Sequence, residues 1–180
     1  MTMHHTVLVP GKAFPHISVP TLRGDVLTLG KTHTKQAKWQ LVVIYRGAHS
    51  ILCTKYLEEL DSMQQAFLSC DTDIIVVSSD PLNTATRHVR DLCGLTLCTG
   101  YDLSIDQMHS LGLYISDPQK GEENDRPFAE PALFLVDDEH IVQMLSLSSS
   151  TYARADLKTV LEGTKQLLNS PHKPITGSHV

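Results

Sequence analysis

The chain has 180 residues, enough for one domain to bury a core without help from disulfides or metals. Its 41% hydrophobic and 19% charged residues are those of an ordinary soluble globular protein. A net charge of −5 supplies no basic face for nucleic acid or an anionic membrane, and no apolar run approaches the ~18 residues of a bilayer span.

Residues 1–9 carry a His pair but neither a cationic start nor a long apolar stretch, so they do not read as a signal peptide. A reducing cytoplasm is therefore the expected location. There Cys53, Cys70, Cys93 and Cys98 should be free or catalytic thiols rather than a disulfide scaffold. The ten histidines are scattered, and none stands at ligand spacing with a cysteine pair, so no metal site is expected.

In chain order, residues 20–29 (PTLRGDVLTL) suggest a small hairpin turned at Arg23, Gly24 and Asp25. Residues 41–45 (LVVIY) form a continuous apolar run rich in β-branched residues, which predicts a strand buried on both faces. From Cys53 to Phe67 the apolar positions Tyr56, Leu57, Leu60, Met63 and Phe67 recur at helical spacing. Residues 73–78 (DIIVVS) predict a second buried strand. Asp80 and Pro81 then read as an N-cap and first-turn proline of a helix that Gly94 stops near Cys93. Ser104 and Gln107 have capping-box spacing for a helix from Ser104 to Leu111, which Gly112 stops. Residues 132–136 and 141–146 flank the turn at Asp137, Asp138, Glu139 and His140 as an antiparallel hairpin. A last helix runs from about Asp156 to Leu168, with Leu157, Val160, Leu161 and Leu168 inward. The loop 117–127 and the tail are rich in Pro, Gly and polar residues and are expected to be flexible.

This order predicts an α/β domain of thioredoxin-like fold over residues 1–170. It has a central mixed β-sheet flanked by helices and an N-terminal β-hairpin, and residues 171–180 form the tail. In such sheets chemistry sits where a central strand hands over to a helix. Cys53 stands at that handover. A thiol in the first helical turn meets unpaired N–H groups and the positive end of the macrodipole, which favour the thiolate. Arg46 and His49 add cationic or donor groups. Ser50 lies three residues before Cys53 and can hold its hydroxyl near the sulfur. Displacement at an O–O bond needs this combination of an ionised sulfur and donors for the two oxygens.

The segment 45–53 (YRGAHSILC) resembles the T-x-x-C loop of peroxiredoxins, with Ser50 at the threonine position and Cys53 at the reactive cysteine. Residues 10–29, 76–81 (VVSSDP), 111–116 (LGLYIS) and 128–137 (FAEPALFLVD) are similar to further landmarks of the alkyl hydroperoxide reductase/thiol-specific antioxidant group. Its nearest branch often has Y-R-G-x-x-C-P-x-C here, and Ser50 and Ile51 replace the first cysteine and the proline. That removes a CxxC dithiol. Arg46 stands at the loop's usual proline, and Pro131 stands where the family places an arginine. Pro131 resembles the cis-proline of thioredoxins, which packs on the active-site loop. Arg46, Arg126 and Arg154 could each take the missing arginine's part, and spacing does not choose among them. Arg126 joins Cys53 and Ser50 in the expected catalytic set, with Arg46, His49 and Pro131 lining the substrate pocket.

The resemblance implies a thiol peroxidase that reduces hydrogen peroxide or organic hydroperoxides through a sulfenic acid at Cys53. It needs no metal, haem or flavin, and draws electrons from thioredoxin, glutaredoxin or glutathione. Homodimers are common in the group. Cys93 resembles a resolving cysteine, with Cys70 and Cys98 as competitors and a one-cysteine mechanism as the other option. Arg154 reads as a surface or interface residue, and the acidic run 137–139 as a turn. The two departures also feed an alternative, a non-enzymatic thioredoxin-fold module that binds a partner or senses redox state through Cys53.

Overall fold

The computed structural model describes residues 8–121, 124–170 and 176, except for the side chains of residues 91–93. An N-terminal hairpin pairs β1 (Ser18–Pro20) with β2 (Val26–Thr28). Gly24, at φ +91°, makes the turn, and its amide donates to the Thr21 carbonyl at 2.9 Å. β1 begins two residues earlier than the sequence suggests, and Thr21 extends the pairing toward the turn, its amide donating to the Asp25 carbonyl at 2.9 Å and its hydroxyl bonding the Asp25 carboxylate.

The main sheet has five strands, with a parallel half and an antiparallel half that meet at its central strand. β3 (Trp39–Ile44) is parallel to β4 (Thr72–Val77), which is parallel to β5 (Cys98–Gly100). On its other side β3 pairs antiparallel with β8 (Ala132–Val136), followed by β9 (Val142–Leu147). A short pair, β6 (Ile115–Ser116) and β7 (Phe128–Ala129), flanks the polar loop. The hairpin covers the β5 edge through Leu22 N–H to Thr99 O at 2.9 Å and Tyr101 N–H to Pro20 O at 3.1 Å. Residues 11–14 cover the start of β9, where the Gly11 amide donates to Val142 O at 2.7 Å.

Alternation along each strand sorts the core into two layers. Val42, Ile44, Ile75, Val77 and Phe134 face Phe14, Val19, Leu29, Met108 and Leu111. Leu41, Val43, Tyr45, Ile74, Val76, Leu133 and Leu135 face Cys53, Leu57, Leu60 and Phe67 and the residues Leu157, Val160 and Leu161 of the last helix. The thiol of Cys53 is thus part of the second layer.

The helices hold departures from the sequence reading. α1 (Ile51–Ser62) starts two residues before Cys53, because Ser50 caps it, and it breaks at Met63 before α2 (Gln64–Leu68). The expected N-cap Asp80 does not cap α3 (Leu82–Thr86). Pro81 takes that place at ψ 159°, and the Asp80 carboxylate is turned elsewhere. α3 continues as a π-helical segment, Arg87–Cys93, closed by Gly94 at φ +63°. α4 (Ile105–Ser110) keeps the capping box of Ser104 and Gln107. In α5 (Leu157–Leu168), Leu157, Val160, Leu161 and Thr164 are buried. Among the described residues no helix is long and apolar enough to cross a membrane.

Cys98 lies in β5 with 1% exposure, and burial pushes its thiol up from 9.0 to about 11. The unfolded chain therefore releases this proton first as pH rises, so the contribution is whole below about pH 9 and drains away toward 11. We expect the urea midpoint to fall across that window, and to fall less steeply in Cys98→Ala.

Candidate active site

Strand β3 ends at Ile44, and the chain must turn sharply to start α1. Gly47 makes the turn at φ +129°, a conformation that favours glycine, and a Cβ there would lie 2.6 Å from Asp80 Oδ1. The adjacent Ala48 amide donates to Asp80 Oδ2 at 2.8 Å. Burial raises the Asp80 carboxyl above its ordinary range, opposed by that amide, by Ser78 and by Arg126. Ser50 N–H donates to Gly47 O at 3.2 Å, and Ser50 then caps α1 from an extended conformation. Its Oγ accepts from the Cys53 amide at 3.3 Å. Cys53 is consequently the third residue of the helix, fully buried beside the cap.

The guanidinium that reaches the sulfur belongs to Arg154. Its Nη2 lies 3.4 Å from Cys53 Sγ, Nη1 donates to Leu52 O at 3.3 Å, and Nε donates to Thr151 O at 2.9 Å. The guanidinium also stacks on Tyr56, 4.9 Å from the ring centroid. Tyr56 OH donates to Ala155 O at 2.9 Å, and burial pushes this phenol up to about 12 against the opposing pull of Arg154. Pro131, Tyr45, Tyr56 and Arg154 line a void of about 10 Å³. The peptide bond of Pro131 is trans, as every described peptide bond is, so the cis geometry expected from its likeness to thioredoxins is corrected. Pro131 follows Glu130, whose amide is held by Tyr114 O at 2.8 Å, and its own carbonyl accepts from Ser148 at 2.9 Å.

The other expected residues are deployed around this centre. Arg46 lies over the Phe128 ring at 4.5 Å, with Nε 3.7 Å from Glu130 Oε2. His49 packs against the same ring at 4.6 Å. Arg126 bonds Ser79 O and Asp102 Oδ1, both at 3.4 Å, and lies 3.9 Å from Asp125. It shares a cleft of about 210 Å³ with Ala48, His49, Asp80 and Arg87. Its guanidinium is committed to the rim of that cleft, whereas Arg154 is at the sulfur. Cys53, Cys70 and Cys98 are free thiols, and the Cys93 side chain lies outside the described residues. Among the described residues no group of His, Cys, Asp and Glu is arranged to hold a metal.

Sequence reasoning missed a pair behind the first turn of α1. Thr54 Oγ1 lies 2.9 Å from Nε2 of His88, which is buried in the π-helical segment. No local pattern links residues 34 positions apart.

The sheet order, with a thiol in the capped first turn after its central strand, defines a thioredoxin-like domain. A model of the AhpC/TSA family matches residues 10–145, and the chain belongs to that family. No curated protein matches it. Among solved structures, a cysteine-to-serine mutant of peroxiredoxin 6 of Arenicola marina superposes with TM-score 0.73 at 16% identity, covering 89% of this chain and 73% of that one. A peroxiredoxin-like protein from Aquifex aeolicus gives 0.71 at 19% identity, covering 89% and 88%. The peroxidoxin BcpB of Mycobacterium tuberculosis gives 0.71 at 14% identity, covering 88% and 97%. These likenesses are of fold.

Gly47→Ala should cost about 1–3 kcal/mol of stability, from the dihedral and the clash with Asp80 together. Urea denaturation would measure it. The same change made in an Asp80→Ala background should cost less, since removing the carboxyl group clears the new methyl group, whose nearest neighbours are Asp80 Oδ1, Oδ2 and Cγ.

Proposed function

We propose that the protein is a thiol-dependent peroxidase with Cys53 as its nucleophile. The observation that carries this reading is the Arg154 guanidinium 3.4 Å from Cys53 Sγ, in a helical turn capped by Ser50. Negative charge on the sulfur is stabilised by the cation and by the N–H groups of the first turn. The thiolate attacks one peroxide oxygen, an S–O bond forms as the O–O bond breaks, and the departing oxygen takes up a proton to leave as water or alcohol. Arg154 and the Ser50 hydroxyl are the donors for the developing charge on that oxygen. A thiol then condenses with the sulfenic acid, releasing water and forming a mixed disulfide, and a second thiol returns Cys53 to its reduced form.

On this reading Arg154 takes the place assigned to Arg126 by the sequence, while Arg46 and His49 shape the loop by packing on Phe128. The electron donor is a thiol of the thioredoxin, glutaredoxin or glutathione kind, acting in the cytoplasm. Cys93 is kept as the candidate for internal resolution. No metal, haem or flavin takes part, and a homodimer is the assembly proposed.

The test mixes reduced protein with stoichiometric hydrogen peroxide and traps Cys53 with a sulfenic-acid reagent, followed by mass spectrometry. Oxidation well above the rate of free cysteine is expected, with none at that position in Cys53→Ser. Arg154→Leu should slow the step by about a hundredfold, the scale of losing one charge-stabilising donor. A wild-type rate no faster than free cysteine would leave a redox-sensing or partner-binding module instead.

A further inference from the structure

The buried His88 has no part in the chemistry above, yet it reaches the turn that carries the thiol. Its exposure is 1%, and its ring lies 5.9 Å from that of Tyr45, the last residue before the site loop. Nε2 is 2.9 Å from Thr54 Oγ1, and Thr54 is the residue after Cys53. The same Thr54 oxygen lies 3.4 Å from the carbonyl of Ser50, the helix cap.

The direction of these bonds follows from what each atom can do. A proton on Nδ1 would be a buried donor with no acceptor among the described residues. With the proton on Nε2, His88 donates to Thr54, and the Thr54 hydroxyl is free to donate onward to Ser50 O. The chain is then His88 to Thr54 to Ser50, each link reinforcing the next. Burial first, and the neighbouring His49 second, hold the imidazole below the ordinary histidine range, which keeps it neutral. Ser50 in turn anchors the two amides that define the turn. Its carbonyl accepts from Thr54 N–H at 3.1 Å and its Oγ from Cys53 N–H at 3.3 Å.

We propose that His88 is a positioning residue that acts through Thr54 to fix Ser50, and with it the turn presenting Cys53. Its π-helical segment fits this role. The wider turn closes with the Gly94 amide on Val89 O rather than on a carbonyl one residue nearer. The kinetic consequence rests on the peroxidase reading, but the structural one does not.

Two measurements on the full-length protein test the proposal. Amide exchange followed by NMR should quicken about tenfold at Cys53 and Thr54 in His88→Leu, with the amides of β3 and β4 unchanged. The hydrogen peroxide rate at Cys53 should fall by a similar factor. Thr54→Val should reproduce both effects, and the double variant should be no worse than either single one. His88→Gln, whose amide nitrogen can still donate to Thr54, should recover most of the loss. Unchanged exchange at both amides would overturn the proposal, as would equal behaviour of the Leu and Gln variants or additive losses in the double variant. Should His88→Leu fail to fold, Thr54→Val alone decides by the same exchange readout. A wild-type protein inert to peroxide would remove the peroxidase reading, and the exchange data would still decide the role of His88.

Discussion

A carboxylate that the sequence offers as a helix cap instead holds the turn after the central strand. Asp80 leaves β4 and extends its side chain sideways to the Ala48 amide, beneath a glycine that has no room for a Cβ. Two neighbouring parallel strands are thereby tied at the edge where both hand over to helices. The direction of α1, the cap by Ser50 and the burial of Cys53 all follow from where that turn is fixed. The cost is a buried carboxylate, offset by hydrogen bonds from Ala48 and Ser78 and by the field of Arg126.

Much of this was legible in the sequence wherever the cause is local. Residues 41–45 are apolar at every position because both faces of β3 are covered, and the two-residue alternation then sorts them between the layers. Ser104 and Gln107 pair across three residues, so their box needs no tertiary information. Ser50 was legible for the same reason, as a hydroxyl three residues before a helical thiol. The start of α1 is not marked in the sequence by apolar periodicity, which begins only at Cys53. Ile51 and Leu52, which precede Cys53 in the helix, are exposed and carry no such period.

The partners of the site were less legible. Arg154 meets Cys53 across 101 residues of chain, and Arg126 has the same side-chain chemistry. Which of them reaches the sulfur is decided by packing: Arg154 is laid on Tyr56 and anchored by two backbone carbonyls, while Arg126 is drawn to Ser79 and Asp102. Arg46, adjacent to the loop in sequence, is claimed by Phe128 and Glu130. Asp80 shows the same competition in a cap. Proximity in sequence favoured α3, but the deeper contact lay with the chain segment beside it.

The single tryptophan occupies the far end of the same strand. Trp39 opens β3, and about 17 Å of extended chain separates it from Ile44, where the strand gives way to the site loop. Its amide is held by Asp71, and its surroundings include Cys70, Lys165 and Leu168. The indole is therefore a fluorophore for the pole of the domain opposite the sulfur. Its emission will follow loosening of that pole rather than oxidation of Cys53, so a silent fluorescence trace would say nothing about whether the thiol had reacted.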